Sequence, residues 1–88
     1  MSQQRRALSK FGSNLRRERQ EKKLTQEKLA EKADLDPTYI SGIERGVRNP
    51  SLLSIVRIAK ALGTTASDLS RGIEGRQHRR LSEEGAVR

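Results

Sequence analysis

The sequence predicts a compact all-α domain of five helices, and three observations support this. Aliphatic residues recur at the three- and four-residue spacing of amphipathic helices. Serine, threonine and aspartate, which cap helix N-termini, stand where those helices would begin. Finally, residues 24–46 (LTQEKLAEKADLDPTYISGIERG) hold two such helices with only Ala33 to Leu35 between them, which leaves room for a tight corner alone. We therefore expect a helix-turn-helix within the domain.

The chain is strongly basic and has few aromatic residues. Its 88 residues include 19 Lys and Arg against 11 Asp and Glu, a net charge of +8, and only 2% are aromatic. This length allows one domain with a small aliphatic core. The charge indicates a polyanionic partner, although composition alone leaves solubility open as its purpose.

Several classes of function are disfavoured by what the sequence lacks. With no cysteine, a disulfide framework, a zinc knuckle and thiol chemistry are excluded. One histidine and no clustered carboxylates leave little from which to build an active site, so we expect no enzymatic activity, cofactor or metal. No apolar run approaches the roughly 18 residues of a membrane span, and the polar N-terminus does not resemble a signal peptide. We expect a cytoplasmic protein.

The first helix is expected from Leu8 or Ser9 to Lys22, after a flexible segment at residues 1–7. Its apolar side carries Leu8, Phe11 and Leu15. Gly12 lies inside this helix and destabilises it by about 1 kcal/mol relative to alanine, so the sequence defines the start of the helix poorly.

The next two helices form the helix-turn-helix. Thr25 is the expected N-cap of the first, and Asp36 of the second, where the fixed φ of Pro37 suits the first helical position. The second of these helices has two distinct faces. One face carries Ile40, Ile43 and Glu44, and the opposite face carries Thr38, Ser41, Gly42 and Arg45. Small hydrogen-bonding groups beside an arginine suit close approach to base edges in a DNA major groove.

The rest of the chain supplies two further helices and a tail. Ser51 caps a fourth helix, which Gly63 ends, and Thr65 caps a short fifth helix. The apolar stripe of the fourth helix is Leu52, Ile55, Val56, Ala59 and Leu62, widened by Leu53 and Ile58. We place the domain at residues 8–71 and expect residues 72–88 to be a mobile polar tail. In that tail, solvation is the favoured interpretation of three candidate phosphate contacts, Arg76, Arg79 and Arg80.

Four segments resemble the lambda-repressor/Cro type of helix-turn-helix protein, the Xre family, over about residues 9–69. They are LTQEKLA in the second helix, YISGIERG in the third, NPSL at the start of the fourth and IAKALG at its end. Within that family, LDPTYISGIERGVRN resembles the controller proteins of restriction–modification systems, small dimers that regulate their own operon and the endonuclease gene. The resemblance implies a lambda-repressor-like domain that binds a palindromic operator in double-stranded DNA as a two-fold homodimer, with no small-molecule effector.

The resemblance also implies roles for single residues. Gln26 matches a glutamine that contacts phosphate and braces the recognition helix, and Arg48 matches a loop arginine that reaches into the groove. The expected base-reading residues are Thr38, Tyr39, Ser41, Gly42, Arg45 and Arg48. The expected phosphate contacts are Lys23, Gln26, Asn49 and Ser51. Controller proteins often carry a long polar residue where this chain has Pro37, which cannot read a base, so operator sequences do not transfer from relatives.

Two structural expectations concern residues on apolar faces. Arg19 continues the apolar side of the first helix and Glu44 shares the face of the buried isoleucines, so each needs a partner of opposite charge. Similar family members have such a pair, and we expect a partly buried Arg19–Glu44 salt bridge. The fourth and fifth helices carry more apolar residues than so small a domain can bury. We expect the excess, Leu53, Ile58 and Leu69, to form the dimer interface.

Two functions fit this description. The first is a sequence-specific transcriptional regulator, either a repressor of its own gene or a controller of a restriction–modification operon. The alternative is the antitoxin of a toxin–antitoxin pair, which would also bind DNA but would need a surface for its toxin. The 19 residues after Leu69 are too few for a ligand-sensing domain. We therefore expect DNA binding to be regulated by the concentration of the protein itself, because higher concentration favours the dimer.

Overall fold

The structure, a computed structural model of the chain, describes residues 2–75, and these form five α-helices. The helices are α1 (Gln3–Glu21), α2 (Gln26–Ala33), α3 (Pro37–Glu44), α4 (Leu52–Leu62) and α5 (Ala66–Leu69). The all-α class is thereby confirmed, with α2 and α3 as the helix-turn-helix. Within the described range, no helix is long and apolar enough to cross a membrane. Most of the expected tail, including the candidate phosphate contacts Arg76, Arg79 and Arg80, lies outside the described residues.

The predicted N-caps are all present. In α2, α3, α4 and α5 the cap side chain accepts a hydrogen bond from a backbone N–H of the first turn, at distances between 2.8 and 3.1 Å. These cap residues are Thr25, Asp36, Ser51 and Thr65. The corner between α2 and α3 turns at Asp34, whose φ of 59° is left-handed, a conformation that aspartate tolerates better than most residues. Local capping chemistry therefore defines where these four helices begin.

Helix α1 begins at Gln3 rather than at Leu8 or Ser9, which corrects the expectation of a flexible segment for residues 3–7. Its N-cap is Ser2, whose hydroxyl accepts a hydrogen bond from the backbone N–H of Arg5 at 3.1 Å. Glutamine, arginine and alanine are strong helix formers, so the helix extends beyond its apolar stripe. The prediction relied on apolar spacing alone, which starts only at Leu8.

All five helices contribute to the core. Its residues are Phe11, Leu15, Leu29, Ala30, Ala33, Ile40, Ile43, Ile58, Ala59, Leu62 and Leu69. The structure contradicts the expected orientation of α4, because Leu52, expected on its buried stripe, is 74% exposed. Leu53, expected at the surface as part of the dimer interface, is 61% exposed. The structure also contradicts two of the three expected interface residues, since Ile58 and Leu69 are 0% exposed and pack inside a single chain. Eight of the eleven residues of α4 are apolar, so its pattern allows several rotations about the helix axis.

Two residues of α1 that the sequence left without a role fix its packing. Asn14 is 1% exposed, and its Nδ2 donates to the carbonyl oxygens of Leu69 at 2.8 Å and Arg71 at 3.0 Å. It thereby satisfies backbone acceptors at the end of α5 that have no partner within that helix. Gly12 lies against α3, where a Cβ would overlap the backbone carbonyl oxygens of Ile43 and Glu44. The glycine therefore allows the backbones of α1 and α3 to approach closely.

Candidate DNA interface

Helix α3 divides into the two faces expected from its sequence. Ile40 and Ile43 are buried in the core, whereas Thr38 and Arg45 are exposed and Ser41 is half-buried. The side of α3 that carries small polar groups and an arginine is therefore the side that meets solvent. Helix α3 is eight residues long, and a major groove is wide enough to admit an α-helix.

The hydroxyl of Thr38 is oriented by the cap of its own helix. Its Oγ1 donates to Asp36 Oδ1 at 2.6 Å, and the same oxygen accepts the backbone N–H of Thr38 at 2.8 Å. These two hydrogen bonds hold the pKa of Asp36 below its usual value. Because its proton is committed to Asp36, the Thr38 hydroxyl presents an acceptor outward, which suits a base amino group.

Tyr39 joins α3 to the start of α4. Its hydroxyl donates to Ser54 Oγ at 3.2 Å and accepts the backbone N–H of Ser51 at 3.2 Å. Ser51 also donates its hydroxyl to Ser54 Oγ, at 2.9 Å. Tyr39 and Ser51, expected to contact a base and a phosphate respectively, therefore direct these hydrogen-bonding groups into the fold.

Gly42 provides space for Arg48 rather than for a base. It is buried, and a Cβ at this position would overlap Arg48 Cγ. The backbone N–H of Arg48 donates to the Gly42 carbonyl at 3.2 Å. From there the guanidinium reaches a point 6.0 Å from the centre of the Tyr39 ring. A larger residue at this position would displace the stem of Arg48 where it crosses α3. The exposed guanidinium lies beside the polar face of the helix.

A hydrogen-bonded ion pair holds α3 from behind. Arg19 Nε lies 2.6 Å from Glu44 Oε2, and Arg19 Nη2 lies 3.0 Å from Glu44 Oε1. The structure thus brings together the two residues that the sequence pairs. The hydrogen bond to Glu44 raises the pKa of Arg19. Arg19 Nη1 also donates to the Leu24 carbonyl at 2.7 Å, and Gln26 Nε2 donates to Glu44 Oε1 at 3.0 Å. One carboxylate therefore links α1, α2 and α3.

The expected phosphate contacts occupy different positions around this core. Lys23, with a φ of 59°, is exposed in the turn just before α2. Asn49 is exposed in the loop before α4. Gln26 is half-buried in the first turn of α2, and its side chain braces Glu44 as described above. Helix α2 thus presents its N-terminal end, which favours anions, next to an exposed cation.

Known proteins with similar sequences and folds include DNA-binding controllers. A family model described as helix-turn-helix matches residues 15–69. The control protein C.MunI from a Mycoplasma species is 47% identical over 66 residues, which cover 74% of this chain and 89% of that protein. The structure is similar to the restriction-modification controller protein C.AhdI from Aeromonas hydrophila, with a TM-score of 0.70 and 47% identity over 70% of this chain and 94% of that chain.

A further similar structure contains DNA. The restriction-modification controller protein C.Esp1396I was solved as a tetramer in complex with its natural 35 base-pair operator. It aligns with a TM-score of 0.68 and 42% identity, over 76% of this chain and 88% of that chain. C.AhdI and C.Esp1396I are restriction-modification controller proteins and C.MunI is a control protein, so these three relatives give the antitoxin alternative no support.

Proposed function

This chain belongs to the helix-turn-helix family of the Xre type, and on that basis we propose that it is a transcriptional regulator that binds a specific double-stranded operator. The controller class is the favoured subtype, because the relatives described above are controllers and this chain aligns with most of the length of each. The proposal places the protein in the cytoplasm of a bacterium and includes no catalytic activity.

The observation that supports the proposal most strongly is how α3 is supported. Its apolar side is buried, and its one carboxylate on that side is held by Arg19 and Gln26 at 2.6 to 3.0 Å. The opposite side is exposed and polar. Rigid support behind an exposed polar helix is what base readout requires, because donors and acceptors must meet base edges within hydrogen-bonding distance.

We assign base reading to Thr38, Ser41, Arg45 and Arg48. Thr38 offers an acceptor, and Arg48 offers the paired donors that suit the O6 and N7 atoms of guanine. Phosphate contacts are assigned to Lys23, Gln26 and Asn49, which flank α3 at the start of α2 and in the loop before α4. Such contacts position the protein on the duplex but carry no sequence information directly.

The proposed binding species is a two-fold homodimer on a palindromic operator. Leu52 and Leu53, which are 74% and 61% exposed, are adjacent apolar residues in the first turn of α4. Exposed apolar neighbours of this kind mark association sites. For both copies of α3 to reach the major groove on one side of the duplex, the dimer must hold them about 34 Å apart, one turn of DNA. The tetramer seen for C.Esp1396I indicates that two such dimers on one operator are the next larger assembly to test.

The proposal is tested by titrating the full chain against duplex DNA from upstream of its own gene and against a scrambled duplex of equal length. We expect a preference of about a thousandfold or more at physiological salt. The Lys60→Gln variant is a control for the loss of one positive charge outside the interface. Lys60 is exposed near the end of α4, away from α3, so this variant should keep the same preference. Equal affinity for the two duplexes would contradict sequence-specific regulation.

A further inference from the structure

A groove separates the N-terminal half of α1 from the end of α3. It has a volume of about 650 Å³, and its lining includes Arg5, Leu8 and Ser9 from α1 and Arg45 and Val47 from the end of α3 and the loop that follows. We call it the Arg5–Arg45 groove. Its α3 wall is continuous with the exposed polar face of that helix, since Arg45 shares this face with Thr38 and Ser41.

The two walls of this groove are held at a fixed spacing by backbone packing. Gly46, with a φ of 77°, lies so close to α1 that a Cβ would be only 3.1 Å from Ser9 Cα. One turn further along α1, Gly12 lies against the backbone carbonyls of Ile43 and Glu44. These two glycines allow the backbone of α1 to pack closely against the end of α3, so the groove is a defined feature of the fold.

The groove is positively charged. Arg5 and Arg45 are both exposed and line facing walls. Within residues 2–75, neither arginine forms an ion pair with a carboxylate. Two unpaired cations across a groove repel each other, and an anion bound between them relieves that repulsion. The lining also includes Leu8 and Val47, the latter 61% exposed, so apolar contact surface accompanies the cations.

We propose that the Arg5–Arg45 groove binds the sugar–phosphate backbone of DNA next to the base pairs that α3 reads. This inference rests on the proposed function and extends its interface to α1. The backbone of a DNA strand alternates anionic phosphates with less polar sugars, which matches arginines beside Leu8 and Val47. The position also fits, because Arg45 both lines the groove and shares the exposed face of α3 with Thr38 and Ser41, so the groove adjoins the face that would read the bases.

In this proposal, the contact from α1 to the DNA backbone comes from the first turns of the helix, before its apolar stripe begins at Leu8. Arg5 lies in the segment that extends α1 back to Gln3, before the residues that match the family at 15–69. The added contact is independent of sequence, because a phosphate carries no base identity. It increases affinity and salt dependence for operator and random DNA alike.

The test compares Arg5→Gln with Arg6→Gln in the full chain. Arg6 is the matched control because it is exposed on the same helix, one position and about 100° further round, and does not line the groove. The Ser2 cap binds the backbone N–H of Arg5 and survives either change. Affinities for operator and scrambled duplexes are measured at several salt concentrations, and circular dichroism checks that both variants remain folded.

For Arg5→Gln we expect weaker binding to both duplexes and a salt slope shallower by about 0.9 per subunit, which is roughly eightfold in affinity over a tenfold range of salt. Arg6→Gln should change neither. Equal slopes for Arg5→Gln and wild type would overturn the groove proposal while leaving the proposed function intact. A loss confined to the operator would also overturn it, since that result would make Arg5 a base-reading residue. Wild-type protein without operator preference would instead contradict the proposed function.

Discussion

Arg19 and Glu44, 25 residues apart in the sequence, form a two-point ion pair behind the recognition helix, at 2.6 and 3.0 Å. Their side chains are 12% and 4% exposed. Gln26 adds a third hydrogen bond to the same carboxylate. One acidic group of α3 is therefore hydrogen-bonded to both α1 and α2.

Removing that carboxylate should destabilise the fold strongly. We expect Glu44→Ala to lower the free energy of unfolding by about 3–5 kcal/mol, because the guanidinium of Arg19 would be left largely buried without its partner. The measurement is urea denaturation followed by circular dichroism. Glu31→Ala is the control, since it breaks the exposed Lys28–Glu31 pair and should cost under about 1 kcal/mol. Equal losses for the two variants would contradict a structural role for Glu44.

Gly12→Ala should destabilise the protein even though alanine is the better helix former. The added Cβ would overlap the carbonyl oxygens of Ile43 and Glu44, so α1 must move away from α3. Overpacking of this kind costs roughly 1–3 kcal/mol, whereas helix propensity returns about 1 kcal/mol. The exposed neighbour Ser13→Ala provides the control for propensity. An increase in the thermal midpoint of Gly12→Ala would show that the helices tolerate a wider spacing.

Base reading and phosphate contact should separate in two single variants. Arg48→Ala is expected to weaken operator binding by about 1–3 kcal/mol and to relax discrimination at one position per half-site. Lys23→Ala should weaken operator and scrambled DNA alike and make the salt slope shallower by about one per subunit. Titrations of both variants against both duplexes distinguish these effects. Equal losses on the two duplexes for Arg48→Ala would make it a further phosphate contact.

Leu53→Glu should convert the proposed dimer to a monomer without unfolding it. Leu53 is 61% exposed in the single chain, so a charge there is solvated in the monomer but buried in a dimer interface. Sedimentation at high micromolar concentration should show the monomer mass for this variant and the dimer mass for wild type. Gln20→Glu, which adds the same charge to the exposed side of α1, should remain dimeric. Dimeric Leu53→Glu would place the interface elsewhere.

Acid should weaken the cap of α3. The pKa of Asp36 is lowered by the hydroxyl and the backbone N–H of Thr38, so its carboxylate is more acidic in the folded than in the unfolded chain. The stabilisation is therefore fully present above the unfolded pKa of about 3.9 and is lost as the pH falls through the lower folded value. Asp36→Asn removes this titration while keeping a cap. Thermal midpoints of the two proteins should differ at pH 5 and approach each other progressively as the pH falls below about 4. A constant difference would contradict the assignment.

Features set by local chemistry were predictable from the sequence. A cap side chain binds an N–H two or three residues away, so Thr25, Asp36, Ser51 and Thr65 define helix starts without knowledge of the fold. The same holds for the two faces of α3, which follow from helical periodicity. Arg19 and Glu44 are paired by a similar argument, because each places a charge on an apolar face and few partners are available to either.

Other features depended on how the helices pack against one another. The long apolar arc of α4 is compatible with several rotations, and the buried rotation is the one at which Ser54 meets Tyr39. Gly42 was expected to meet a base, yet it accommodates Arg48, a contact that exists only once the loop folds back over α3.

Asn14 illustrates the same limit at greater distance, since its acceptors lie 55 and 57 residues further along the chain. Sequence patterns report the periodicity and capping of one helix at a time. They determined here which segments are helical, where four of the helices begin and which side of α3 is polar. Rotations, close backbone approaches and buried polar contacts are properties of pairs of helices, so only the tertiary structure decided them.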